Sequence, residues 1–211
     1  MANEQITTAF ANGLFMSLVL IVAIGAQNAY VLRQGLRREH VSAVVLFCAA
    51  SDALLITAGV AGMAQALQGR PAVATALAGF GALFLGAYGL RALWRSRQPG
   101  ALQAAAQGAS LSRAAVLAQA AGFTLLNPHV YLDTVLLVGS TGAQYGGALK
   151  AWFVAGATLA SALWFSALGF GARWLAPVSA RPRAWQVLDA LIGGTMLVLA
   201  ALLARRAFLG I

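Results

Sequence analysis

Six apolar runs alternate along the chain with short polar connectors, at residues 6–32, 41–67, 72–94, 114–138, 151–175 and 184–207. Each is close to the ~20 residues that cross a bilayer as a helix. The connectors are basic around Arg33 to His40, a tight turn at Gln68-Gly69-Arg70-Pro71, and a longer polar linker over 95–113. A turn region follows from Ser140 to Gly147, then a basic loop from Ala176 to Arg183. Proline at 71 stands where a helix can start. The pattern predicts an all-α integral membrane protein of six transmembrane helices in one domain over residues 1–211.

Composition agrees that lipid is the solvent. The 211 residues are 61% hydrophobic and only 9% charged, with a mean hydropathy of +0.80. A soluble domain carries about 25% charged residues, too many more for this chain to cover a water-facing surface. Met1 to Gln5 holds Glu4 but no Lys or Arg, so the first run is expected to stay in place rather than be cleaved as a signal. The single Cys48 excludes an internal disulfide and a Cys-x-x-Cys pair.

A net charge of +9 would ordinarily suggest nucleic acid. Here the basic residues fall between apolar runs, so topology accounts for them and no nucleic-acid partner is expected. Connectors one, three and five hold Arg33, Arg37, Arg38, Arg91, Arg95, Arg97, Arg113, Arg173, Arg181 and Arg183, ten of the fourteen Lys and Arg. Only Arg70, Lys150, Arg205 and Arg206 lie on the opposite side. The positive-inside rule then puts the odd connectors in the cytoplasm and both termini outside.

Polar residues inside the runs carry the chemistry. The fourth run contains Asn127-Pro128-His129, with Tyr131 and Asp133 just beyond. Proline breaks a helix, and broken backbone or a carboxyl at membrane depth is tolerated where it lines a cavity or faces protein. The first run contains Gly25-Ala26-Gln27-Asn28, and Ser51-Asp52 interrupts the apolar pattern of the second. Gly25 and Pro128 are therefore the expected helix breaks. Asn28 and Asn127 can either hold a solute or satisfy backbone groups freed by those breaks. Asp189, near the start of the sixth run, reads as an interfacial partner of Arg181 or Arg183. Ala78, Ala82 and Gly86 form a small-residue ridge that suits a neighbouring helix or a second copy of the chain.

The halves look related. Each has three runs, with repeat one over 6–94 and repeat two over 114–207, and each opens on a run holding an Asn in a broken context. Ala50-Ser51 aligns with Ala160-Ser161, and Gly59 with Gly169. Three runs per half make the repeats inverted, an arrangement secondary transporters use.

Gly25-Ala26-Gln27-Asn28-Ala29-Tyr30-Val31 followed by Gln34-Gly35 and a basic cluster resembles the first-span motif of the LysE/ArgO family of basic amino-acid exporters, within the LysE superfamily. Asn127-Pro128-His129-Val130-Tyr131-Leu132-Asp133-Thr134 resembles the fourth-span motif, and Trp164 with Ala172-x-Trp174-Leu175-Ala176-Pro177 is similar to the arginine-exporter branch. The likeness implies export of L-arginine or L-lysine across the bacterial inner membrane, driven by the electrochemical gradient. One departure is Ala26, where the family usually carries proline. His129 stands where neutral amino-acid exporters tend to have lysine, which favours a cationic substrate.

The site expected from these residues uses Asp52 and Asp133 for the side-chain cation. Asn28 or Asn127 would take the α-amino group, and a half-helix N-terminus the α-carboxylate. Gln27, Tyr131 and Trp164 are further candidate contacts, and His129 and Asp52 candidates for proton handling. The pattern calls for no cofactor and no resident metal. A neutral amino-acid or divalent-metal exporter on the same fold is the alternative. An enzyme is disfavoured, because two histidines, one cysteine and no evident nucleophile–base pair leave little to catalyse with.

Overall fold

Without water to satisfy backbone amides, a single segment in lipid must close its hydrogen bonds within itself, as a helix does. The computed structural model describes residues 2–22, 25–63, 71–97, 111–127, 130–175 and 182–209, and every regular element among them is helical. In chain order these are α1 (Ala2–Ile21), α2 (Ala26–Arg37), α3 (Val41–Ala58), α4 (Pro71–Ser96), α5 (Arg113–Leu125), α6 (Gly139–Ala143), α7 (Gly147–Gly171) and α8 (Pro182–Leu209). A π-helical turn, Gly59–Met63, extends α3, and π-helical Tyr131–Val138 leads into α6. Among the described residues four stretches are long and apolar enough to cross a membrane: Ala2–Ile21, Val41–Gly62, Gly147–Trp174 and Trp185–Arg205. The 26 residues of α4 match them in length, at about 39 Å for 1.5 Å per residue.

Lipid also explains the outer surface. Phe15, Val19, Leu46, Leu54, Phe80 and Leu83 are 62–74% exposed, a burden in water but an ordinary boundary against acyl chains.

The expected first span is two helices rather than one, parted at Gly25, and the fourth stops at Leu125 and resumes by Val130. Pro71 opens α4 as its position suggests. Ser51-Asp52 interrupts the apolar pattern but not the helix, since α3 continues unbroken to Ala58. The irregularity comes later, where Gly62 takes φ 108°, a left-handed conformation that glycine adopts without steric cost. Residues 64–70, with most of the expected turn, lie outside the described part.

Two glycine pairs let backbones touch. A Cβ at Gly13 would lie 2.1 Å from the Phe153 carbonyl oxygen, and one at Gly156 2.0 Å from that of Phe10, so α1 and α7 meet with nothing between them. Gly59 and Gly139 do the same between the end of α3 and α6. Close approach through small residues is how membrane helices gain packing when lipid is as apolar as they are. The ridge expected on α4 is turned toward α8: Ala78 is buried, and a Cβ at Gly86 would meet Ala200. The pair runs antiparallel, with Gly86 near Ala200 and Arg95 near Asp189.

The main core joins Tyr30, Val44, Cys48, Leu85, Phe123, Phe165 and Met196, drawn from six helices. Within it Phe123 packs against Tyr30 at a tilt and edge-on against Phe84 and Tyr88, at centroid distances of 4.9, 5.0 and 4.7 Å. A smaller core packs Ile56, Val60, Val138, Phe153 and Ala157.

Candidate functional site: a cavity between two helix breaks

A break leaves carbonyls of the preceding helix and N–H groups of the next without intrahelical partners. In the first break Gly25 is extended (φ −112°, ψ 169°) and offers α2 no side-chain cap. Asn28 Nδ2 donates to the Ile21 carbonyl at 2.6 Å, closing the end of α1. Its Oδ1 accepts from Trp164 Nε1 at 3.3 Å, so Asn28 ties α1, α2 and α7 together. Ala26 starts α2, fully buried, where the resemblance would place proline. The break therefore forms on Gly25 and Asn28.

The second break is built the same way. Tyr131 Oη donates to the Leu125 carbonyl at 2.9 Å, closing the end of α5. The Val130 N–H donates to the Asn127 carbonyl at 3.1 Å, and Asn127 is buried. In each break a side chain just past the interruption ties back to the helix before it. Pro128 and His129 lie outside the described residues.

Between the breaks is a cavity of about 230 Å³, smaller than the ~300–1,000 Å³ of drug-sized pockets. Ser17, Gly25, Gln27, Asn28, Asp52, Asn127, Asp133 and Thr134 are its polar or backbone-bearing walls, and Leu20, Ile21, Val130, Val138 and Leu199 its apolar ones. Two carboxyl groups and no Lys, Arg or His line it among the described residues.

Asp52 is only 2% exposed. Ser161 Oγ of α7 donates to its Oδ2 at 3.0 Å, while Oδ1 has no hydrogen-bond partner. Gln27 adjoins it, and Gln27 Nε2 is likewise unpartnered. Thr124 Oγ1, buried beside Cys48, is a third such atom. Gln27 and Asp52 face one another in the cavity wall with Nε2 and Oδ1 poorly satisfied, and a buried polar atom left unsatisfied costs about 1–3 kcal/mol. Asp52 Oδ1 and Gln27 Nε2, both of wall residues, suit a polar solute.

The structure thus brings Asp52, Asp133, Asn28, Asn127, Gln27 and Gly25 to one cavity. Tyr131 and Trp164 stand behind it, closing a helix end and holding Asn28. Sequence reading missed Ser161 as the partner of Asp52, and Ser17 and Thr134 as wall residues. Ser161 had surfaced only as the mate of Ser51 in the repeat alignment. The described residues contain no group of three or more His, Cys, Asp or Glu that could hold a metal.

Asp189 corrects an expectation. Fully buried, it receives Arg33 Nη1 at 3.3 Å and Arg95 Nε at 3.3 Å, and not Arg183, which is exposed; Arg181 is outside the described residues.

Comparison with known proteins agrees with this picture. Residues 18–207 match the family model for LysE type translocators. A protein of Aeromonas salmonicida with the provisional name amino-acid transporter YggA is 44% identical over 204 residues, covering 93% of this chain and 96% of its own. A provisionally named amino-acid transporter of Mycobacterium tuberculosis is 43% identical over 180 residues, covering 85% and 89%. The arginine exporter protein ArgO of Pectobacterium carotovorum is 38% identical over 196 residues, covering 93% and 96%. No solved structure matches the chain.

Proposed function

The chain belongs to the LysE-type translocator family, and on that premise we propose that its central cavity binds L-arginine, with L-lysine as a second substrate, and carries it out of the cell. The protein is a multi-pass amino-acid transporter of the bacterial inner membrane, not an enzyme.

The observation that carries the finer reading is the acidity of the cavity: two carboxyl groups, Asp52 and Asp133, stand in its wall. Arginine brings two cations and one anion. The carboxylates would take the guanidinium and the α-ammonium. The uncapped N-terminus of α2, whose Gly25, Gln27 and Asn28 line the cavity, would take the α-carboxylate through free N–H groups and the helix dipole. A neutral amino acid leaves one carboxylate unmatched, which is why the cationic substrate is preferred.

Six spans in two inverted repeats, 6–94 and 114–207 around the linker 95–113, complete the proposal. Support comes from the likeness of the two breaks and from the packing: Gly13 with Gly156 joins spans one and five, and Gly59 with Gly139 joins two and four. At the level of whole spans, exchange of the halves turns a one–five contact into a four–two contact. Rocking of the halves about the cavity then gives alternating access, with Asp52 the group through which a proton gradient would couple. Whether the transporter works as a single copy or an oligomer does not enter the scheme.

Cells lacking their own exporters, loaded with labelled arginine, lysine, glutamine or Mn²⁺, test the proposal. Expression should speed loss of arginine and lysine only. Faster loss of glutamine or Mn²⁺, with arginine unchanged, overturns it.

A further inference from the structure

A second pocket lies at the arginine-rich end, apart from the central cavity, with a volume of about 540 Å³. Arg33, Gln34 and Arg37 of α2 line it with Tyr88, Arg91, Trp94 and Arg95 of α4. Tyr30, in ring contact with Phe123, lies on α2 between Gln27 of the cavity and Gln34 of this pocket.

Its charge balance is unequal. Asp189 is shared by Arg33 and Arg95, and Glu39 pairs with Arg37. Four guanidinium groups therefore face two carboxylates, and exposed Arg91 has no ion-pair partner among the described residues. Within the Arg37–Glu39 pair the Arg37 Nε–H and Glu39 Oε2 are both buried without a hydrogen-bond partner, so the excess positive charge lies with Arg91. Such a set wants an anion, and guanidinium forks suit phosphate oxygens.

Gln34 adds a second, independent demand. It is 3% exposed, and its Nε2 donates to Tyr30 Oη at 3.0 Å. Tyr30 Oη in turn donates to the Val116 carbonyl at 2.8 Å, so it must accept from Gln34 and the amide cannot flip. Gln34 Oε1 is thereby held as an acceptor without a donor. The ligand must carry an O–H or N–H beside its anionic group. An ammonium would be repelled by the surrounding arginines, which leaves a hydroxyl.

The pocket also opens beside lipid. Phe80, Leu83, Leu90 and Trp94 form an exposed stripe along α4, and Trp94 and Ala87 of that face line the pocket. Tryptophan with arginine at the end of a lipid-facing stripe marks the headgroup level.

We propose that this pocket binds the headgroup of an anionic phospholipid of the phosphatidylglycerol class, phosphate to Arg91 and Arg37 and a glycerol hydroxyl to Gln34 Oε1. Bound there, the lipid bridges α2 and α4 at the cytoplasmic boundary. Native mass spectrometry of the purified protein, with phosphatidylglycerol or phosphatidylcholine added, tests it. The protein should retain phosphatidylglycerol over phosphatidylcholine. Arg91→Gln should weaken that retention about fivefold, the share of one arginine near an anionic surface. Arg205→Gln, the same charge loss at the other end, should change nothing. Inorganic phosphate at millimolar concentration should not displace the lipid. Equal retention of the two lipids, an equal effect of both variants, or full displacement by phosphate would each overturn the proposal, the last by making a free anion the ligand. A transport-dead Asp52→Asn protein should retain the lipid normally, which separates this result from the substrate assignment.

Discussion

Replacing Asp52 with Asn removes charge at the cavity while leaving nearly all else in place. The two side chains are almost equal in volume. Asn keeps a carbonyl oxygen that can accept the Ser161 hydroxyl, now 3.0 Å from Asp52 Oδ2, so the contact between α3 and α7 survives. What disappears is the second oxygen, Oδ1, which makes no close hydrogen bond, lies near Gln27, and is the one available to a guanidinium. Removing one member of a desolvated charge pair costs about 2–5 kcal/mol. At ~1.4 kcal/mol per tenfold, arginine affinity should fall roughly 30-fold or more. The assay is efflux of labelled arginine from preloaded vesicles, with membrane amounts matched by blot. Efflux should fall to background at normal expression, and Ser161→Ala, which removes only a neutral donor, should lower it by about tenfold at most. Wild-type efflux from Asp52→Asn would refute the reasoning and make the carboxyl structural.

Gly13→Ala must part α1 from the Phe153 backbone, at the roughly 1–3 kcal/mol of an overpacked interface; a lower thermal midpoint in detergent is expected, and an unchanged one would refute direct backbone contact. Trp164→Phe keeps the ring but loses the N–H to Asn28, so arginine transport should drop less than about tenfold; a loss as complete as that of Asp52→Asn would mean Trp164 touches substrate itself. Asp189→Asn leaves Arg33 and Arg95 without their carboxylate, and breaking a buried pair typically costs about 3–5 kcal/mol, so detergent stability should fall sharply; no change would show the triad to be energetically idle. A cysteine at Arg97 in a Cys48→Ala background should resist impermeant thiol reagents in intact cells, and ready labelling would invert the topology.

Much of this architecture could be read from spacing and composition, because lipid leaves a chain few options. Run lengths gave the helices within a few residues, and the costs of Asn-Pro and of an intramembrane carboxyl pointed to the walls of the cavity. Tertiary partners were another matter. Asp189 was assigned to Arg183 or Arg181 by sequence proximity, but antiparallel packing of α4 and α8 delivers Arg95 instead, and α2 brings Arg33. Tyr131 and Trp164 were candidate contacts by sequence, and their part in closing the two breaks through a polar hydrogen on each could not be seen there. The π-helical winding at Gly59–Met63 and Tyr131–Val138 left no mark in hydrophobic periodicity, since Gly59–Met63 is apolar throughout and Asp133-Thr134 is the only polar pair in the longer segment. The closeness of Asp52 to Ser161 depends on helix rotation, which an evenly apolar helix such as α3 does not reveal.

The central claim is that a cation of the substrate's side chain, and not its shape, is read by the cavity. Citrulline has nearly the shape of arginine with a neutral urea in place of the guanidinium. Binding of labelled L-arginine to the purified protein, challenged with unlabelled arginine, lysine or citrulline, tests the claim directly. Arginine and lysine should displace the label, and citrulline should fail even in large excess. Displacement by citrulline as effective as by arginine would contradict it.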